Sequence, residues 1–286
     1  MEKTNVNKIT MKYILPSILT VFSLFPVISV AQESLVTDRP DFVESSSVVN
    51  PGMLQVEGSF ATDRTSLKPG NIENMSTPFL FRLGIFPDVE ARLESDWYTR
   101  RTTNGLQDRS GSVGGFSDMS IGIKWAFSAG DEDIGQPAMA ALVHADFPTG
   151  SQEFKGSGVR PSLRISAEWN VRMPWEDPTS TDKDWGVGVM PGVMLDRNER
   201  DDSFTSGIFG FVISKGILIP DLRAFTEIAF EQIQSVQNGG SLGFIQAGGT
   251  YLLNPSWQLD AAFALGITEN ASDLGFTIGL SGFLRD

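Results

Sequence analysis

Beyond residue 31 the chain never assembles the 18 or so apolar residues that a membrane-crossing helix needs, and it carries instead some dozen short stretches in which apolar and polar residues alternate. Alternation with a period of two is the signature of a β-strand with two unlike faces. In Phe79-Leu80-Phe81-Arg82-Leu83-Gly84-Ile85 the odd positions are apolar, and in Val89-Glu90-Ala91-Arg92-Leu93-Glu94-Ser95-Asp96-Trp97 the odd positions are again apolar or small while the even ones are charged. If Phe86-Pro87-Asp88 forms a three-residue turn, Ile85 faces Val89, Leu83 faces Ala91, and Arg82 lies opposite Arg92 with Glu90 and Glu94 on the diagonals. Near the C-terminus the turn Asn254-Pro255-Ser256 pairs Leu253 with Trp257, Tyr251 with Leu259, Gly249 with Ala261 and Ala247 with Phe263, with Thr250 facing Asp260 on the other side. Carried along the chain, this reading predicts twelve strands, near 52-62, 75-86, 89-98, 116-127, 137-147, 160-172, 185-195, 204-214, 222-232, 242-253, 257-266 and 274-284.

The one long apolar stretch lies at the N-terminus and reads as an export signal. Lys3, Lys8 and Lys12 give a positive start, Ile14 to Val30 an apolar middle broken by Pro16 and Pro26, and Ser29-Val30-Ala31 small residues for cleavage before Gln32. Residues 1-31 are therefore expected to be a signal peptide, 32-50 an N-terminal segment and 51-286 a single β domain. Of 35 acidic and 22 basic residues, Glu2 and the three lysines leave with the signal, so the remainder carries 34 against 19, or −15. A nucleic-acid partner is excluded by that charge. With no cysteine, neither disulfides nor thiolate chemistry is available.

Alternation alone does not say which face meets what, since a soluble barrel keeps apolar residues inside and a membrane barrel turns them toward lipid. Polar segments at 63-74, 99-115, 148-159, 196-203, 233-241 and 267-273 interleave with tighter turns, as external loops and periplasmic turns do. Trp97, Tyr98, Trp125, Phe127, Trp169, Trp185, Tyr251 and Trp257 fall at or near strand ends, where interfacial girdles sit. The polar face is densely charged within strands, and a twelve-stranded lumen is too wide for apolar side chains to fill. The fold expected is an antiparallel up-and-down transmembrane β-barrel in the outer membrane of a Gram-negative bacterium. Its partners would be outer-membrane lipid, the barrel-insertion machinery and a small-molecule solute. Lumen candidates are Arg82, Glu90, Arg92, Glu94, Asp96, Lys124, His144, Arg164, Glu168, Arg223 and Glu227.

Several runs resemble a known family. Thr37-Asp38-Arg39-Pro40-Asp41-Phe42, followed by Glu44-Ser45-Ser46, Pro51-Gly52, Leu54-Gln55 and Glu57, resembles the N-terminal signature of the outer-membrane transporters grouped under "meta-pathway of phenol degradation". Gly115-Phe116-Ser117-Asp118 leading to Gly122 and Lys124-Trp125 is similar to a second family segment, and Phe147-Pro148-Thr149-Gly150 to a third. The resemblance implies a barrel and transport, far more firmly than it implies phenol.

Catalysis has little to draw on. The one histidine, His144, has Asp146 two residues away on the same face, so a lumen-facing His-Asp pair of a lipid hydrolase is one reading and a plain polar lumen residue the other. The acidic runs Asp131-Glu132-Asp133 and Asp182-Lys183-Asp184 lie in turns and read as solvated, and Gly111-Ser112-Val113-Gly114-Gly115 lacks the Lys-Ser/Thr and helix of a phosphate cradle. No metal, cofactor or catalytic residue is expected. Residues 32-50 either hang in the periplasm or fold into the lumen as a plug, where Asp38, Asp41 and Glu44 would meet wall arginines (Asp38 and Asp41 foremost) and Arg39 would meet Glu90 or Glu94. The function expected is a passive channel for small molecules, aromatic or otherwise hydrophobic ones among them. The alternatives are a structural or ligand-binding barrel without transport, and a hydrolase using His144.

Overall fold

The computed structural model describes residues 35–106, 109–172, 185–197, 202–217 and 219–284, so the expected signal lies outside the described residues. Among the described residues fifteen strands follow in order: β1 (Leu54–Ser66), β2 (Asn71–Ser76), β3 (Phe79–Phe86), β4 (Val89–Ser95), β5 (Tyr98–Leu106), β6 (Arg109–Phe116), β7 (Met119–Asp131), β8 (Gln136–Phe147), β9 (Arg160–Val171), β10 (Trp185–Arg197), β11 (Ser203–Gly216), β12 (Leu222–Ile233), β13 (Leu242–Asn254), β14 (Trp257–Gly266) and β15 (Leu274–Leu284). All pairings between strands are antiparallel, and β15 closes back on β1 with Gln55 opposite Phe283 and Gly58 opposite Leu280. Closure leaves no edge along the wall, which is how a sheet satisfies its backbone in lipid.

The barrel has twelve staves because three of them are broken strands. β2 and β3 are one stave interrupted at Thr77-Pro78, β4 and β5 one interrupted at Asp96-Trp97, and β6 and β7 one interrupted at Ser117-Asp118. The three breaks stand side by side and are tied together: Ser117 N–H donates to the Trp97 carbonyl at 2.8 Å, and Thr77 N–H lies 3.2 Å from the carbonyls of both Asp96 and Tyr98. Pro78 has no N–H for a ladder, and Trp97 takes the left-handed φ of 50° that a bulky residue adopts only when its surroundings force it.

Segments 63-74 and 99-115, expected as loops, are instead hairpin extensions of the wall, with Arg64 opposite Glu73 and Thr102 opposite Ser112. They are too polar to show an apolar face, yet the backbone ladder needs none once it rises clear of lipid. The turns at 86-88 and 254-256 also differ by one residue from the expected register. A bulge pairs Phe86 rather than Ile85 with Val89, and another pairs Asn254 rather than Leu253 with Trp257, while Leu83–Ala91, Arg82–Arg92, Tyr251–Leu259 and Thr250–Asp260 pair as expected.

The faces are those of a membrane barrel. Ile121 and Ile123 on the outside are more than half exposed, whereas Arg82, Glu90 and Lys124 on the inside are fully buried. Aromatic rings gather at both ends of the lipid-facing band: Phe79, Trp97 and Phe116 stack edge-on at the level of the breaks, and Trp125 packs on Phe127 toward the opposite end. The segments 115-118 and 147-150 meet in space. The Asp118 carboxylate accepts the Gly150 and Gly156 amides at 3.0 and 2.9 Å, and Met119 N–H donates to Thr149 Oγ1 at 3.0 Å, pinning loop 148-159 against the break.

Candidate functional site

Residues 35-50 lie inside the barrel. Alternation sends every second side chain of β1, β3, β4 and β7 inward, which places Gln55, Glu57, Arg82, Glu90, Arg92 and Lys124 around the lumen with almost no exposure. Such charges are tolerable out of water only when paired, and the N-terminal segment supplies the missing partners. Asp38 Oδ2 lies 2.6 Å from Arg92 Nη1, 2.7 Å from Lys124 Nζ and 3.4 Å from Arg82 Nη1. Glu44 bridges Arg92 at 2.7 Å and Arg164 at 2.8 Å with one oxygen each. Wall carboxylates complete the cluster: Glu90 meets Arg82 at 2.9 Å and Arg92 at 2.8 Å, and Glu57 meets Arg82 at 3.1 Å. Four carboxylates thus face four cations, two of the carboxylates coming from the segment and all four cations from the wall.

Backbone groups of the segment are received in the same way. Glu57 accepts the Asp38 amide, Glu90 the Val49 amide at 2.8 Å, Glu168 the Ser46 amide and hydroxyl at 2.5 Å, and Glu227 the Phe42 and Val43 amides at 2.8 and 3.2 Å. Gln246 and Gln258 reach the Pro40 carbonyl and the Thr37 hydroxyl at 2.8 and 2.7 Å. Val43 packs on Met190, Val212, Phe225 and Ala262, a small apolar core in the middle of the lumen. Glycines make room: a Cβ on Gly210 would stand 2.6 Å from Val43, and one on Gly84 would collide with the carbonyl oxygens of Val49 and Asn50.

Asp38 and Asp41 sit in opposite electrostatic settings. Burial alone would raise the Asp38 pKa, but Arg82, Lys124 and Arg92 outweigh it and hold the carboxyl well below the usual carboxylate range. Burial pushes Asp41 well above that range, and the nearby Glu227 adds to the shift. The segment separates two cavities. One of 740 Å³ reaches the loop end and is lined in part by Asp38, Glu44, Arg92, Asp96 and Arg164, while one of 500 Å³ reaches the turn end and is lined in part by Ser45, Glu168 and Arg223.

Of the expected residues, Arg82, Glu90, Arg92, Lys124, Arg164, Asp38 and Glu44 are brought together, with Glu94 at their margin. Four pairings differ from expectation. Arg39 donates to Thr277 Oγ1 at 2.9 Å rather than meeting Glu90 or Glu94, because the chain turns there toward β15. Asp41 faces Glu227 rather than an arginine. Arg223 stands in the turn-end cavity, donating to Ser214 Oγ at 3.1 Å. His144 takes Glu94 at 2.9 Å instead of Asp146, which pairs with Arg160 at 3.4 Å. The buried His144 Nε2 has no hydrogen-bond partner among the described residues. Likewise no group of three or more metal-binding acids or histidines occurs among the described residues. Sequence reasoning passed over Gln55, Glu57, Gln246 and Gln258, although the alternation of Leu54-Gln55-Val56-Glu57 already put two of them on the inner face.

A family described as "Putative MetA-pathway of phenol degradation" matches residues 37–283. No curated protein matches the chain. Among solved structures, an outer membrane channel from Pseudomonas putida F1 is similar in fold at a TM-score of 0.56 and 11% identity, over 86% of this chain and 99% of that one. The NanC porin aligns at a TM-score of 0.46 and 13% identity over 81% of this chain and 100% of that one. The CymD monoaromatic hydrocarbon channel aligns at 0.42 and 7% over 83% and 90%.

Proposed function

The chain belongs to the family whose description it matches over residues 37–283, and on that premise we propose that it is a passive outer-membrane channel for small molecules, occluded at mid-lumen by its own N-terminal segment. The observation that carries this reading is the pair of cavities, one open to each end, divided by residues 38-47 rather than by the barrel wall. A lumen meant only to be filled would need no vestibules. With an even number of staves Leu54 and Leu284, the two ends of the wall, both lie at the turn end, which in an outer-membrane barrel is the periplasmic side, and hairpin 99-115 and loop 148-159 lie outside. The segment enters and leaves from that side, so it can withdraw without crossing the membrane. Flow would follow the gradient.

The network of interactions across mid-lumen also favours a second reading, a structural barrel that stays closed, because the cluster around Asp38 leaves no charge unmatched. Uptake into proteoliposomes separates the two. Entry of small solutes that rises when the segment is removed supports the channel; barrels that remain sealed in both forms support the structural reading.

A further inference from the structure

Two carboxylate-binding places on the wall are filled by the chain itself. Lys124 has one carboxylate partner among the described residues, Asp38 at 2.7 Å, and Arg164 has one, Glu44 at 2.8 Å. Arg92 holds both of these carboxylates, at 2.6 and 2.7 Å. Lys124 and Arg92 are at most 1% exposed, and when the segment leaves, Lys124 loses the carboxylate it holds while Arg92 keeps only the wall carboxylates Glu90 and Glu94. The four wall cations Arg82, Arg92, Lys124 and Arg164 would then face Glu57, Glu90 and, 4.0 Å from Arg92 at the margin, Glu94, an excess of one positive charge.

We propose that the Lys124–Arg92–Arg164 belt is a binding site for solutes bearing carboxylate groups, and that Asp38 and Glu44 occupy it as internal stand-ins which such a solute displaces. The route of the solute rests on the channel reading above, and the site itself on the belt. Carboxylate is the fitting chemistry because Glu44 already lies between Arg92 and Arg164 with one oxygen 2.7 and 2.8 Å from each, so two always-charged guanidinium groups share one two-oxygen anion. Two such places share Arg92, so a solute with a carboxylate at each end of a short chain can fill both. The places open on the loop-end cavity of 740 Å³, within the size range of small-molecule sites.

The approach does not repel anions on balance. Nine carboxylates line that cavity; without Asp38 and Glu44, which would be displaced, and Asp41, which burial holds toward its neutral form, six remain against six arginines and lysines. A tethered carboxylate competes at an effective concentration in the millimolar range, so the intact protein should bind such a solute weakly and a protein relieved of the stand-ins should bind it well.

Calorimetric titration of the folded barrel in detergent tests this, with succinate, its neutral diamide succinamide, and 1,4-diaminobutane as probes. Full-length protein is compared with Asp38→Asn/Glu44→Gln and with a deletion of residues 33-48, each verified as folded by heat-modifiable gel mobility. Succinate should bind both altered proteins at least about tenfold more tightly than the full-length chain, by mass action alone, and Arg164→Gln in the deletion background should reverse most of that gain. Succinamide and diaminobutane should gain nothing. Equal binding of succinate and succinamide to the deletion protein, or a preference for the diamine, overturns the proposal. Calorimetry needs no current, so a barrel that binds succinate yet stays closed in bilayers refutes the channel alone, and a conducting barrel blind to succinate refutes the site alone.

Discussion

Replacing the Asp38 carboxylate by an amide would leave Arg92, Lys124 and Arg82 short of one anion in a place with almost no water. Breaking a buried pair from one side costs about 3–5 kcal/mol, and here that cost falls on docking of the segment rather than on the barrel, whose strands close without it. Asp38→Asn should therefore speed amide exchange at Ser45 and Val49 by roughly a hundredfold or more while heat-modifiable mobility stays normal. Unaltered exchange would mean the ion cluster does not hold the segment. The two aspartates also predict a pH dependence with opposite signs. Asp38, lowered when docked, supports docking above its free pKa and loses that support only as pH falls through its lowered docked value. Asp41, raised when docked beside Glu227 and Glu168, supports docking below its free pKa and loses it as pH rises through its raised value. Docking should thus loosen as pH rises above the usual carboxylate range and through the raised Asp41 value, and Asp41→Asn should flatten that response. An identical rise in exchange for the variant would assign the effect to another group. At this scale the sequence revealed which residues face inward, since Arg82, Glu90, Arg92 and Lys124 alternate with apolar neighbours. It did not reveal who meets whom, because Asp38 reaches Lys124 across 86 residues, a separation that no periodicity encodes.

Strand β4 carries the test of the faces. Leu93 points toward lipid between Phe81 and Ile121, and Glu94 points inward to His144. Leu93→Arg should impair assembly at a cost of roughly 2–4 kcal/mol near the bilayer midplane. Glu94→Gln keeps a hydrogen-bonding group toward His144 and should fold. Folding yield in lipid vesicles measures both, and the reverse order would mean the faces are inverted. All twelve predicted strand cores are present because each combines alternation with turn residues, Pro87-Asp88 and Pro255-Ser256 among them. The misread portions share one cause: β2, β5 and β6 are held by ladder hydrogen bonds between polar residues, so Thr99 to Asn104 offers no apolar face to detect. The one-residue bulges after Gly84 and Leu252 are local backbone choices at the turns, to which a pattern of period two is blind.

On the scale of the whole molecule, the wall is an inverted sheet closed on itself and the interior is a salt-bridged segment rather than an apolar core. The composition pointed to the first of these through its dense inner-face charge, and left the second open because a polar run of nineteen residues suits a tail as well as a plug. Only the three-dimensional arrangement of Gly84, Gly210 and the four wall cations makes room for the segment and gives it partners. The measurement that tests this account most directly is single-channel conductance in planar bilayers for the full-length protein and for the deletion of residues 33-48, with folding verified for both. The account predicts a small or intermittent conductance in the first and a larger, steady one in the second. Equal conductance in two well-folded proteins would contradict it, and would place control of the pore in the external loops.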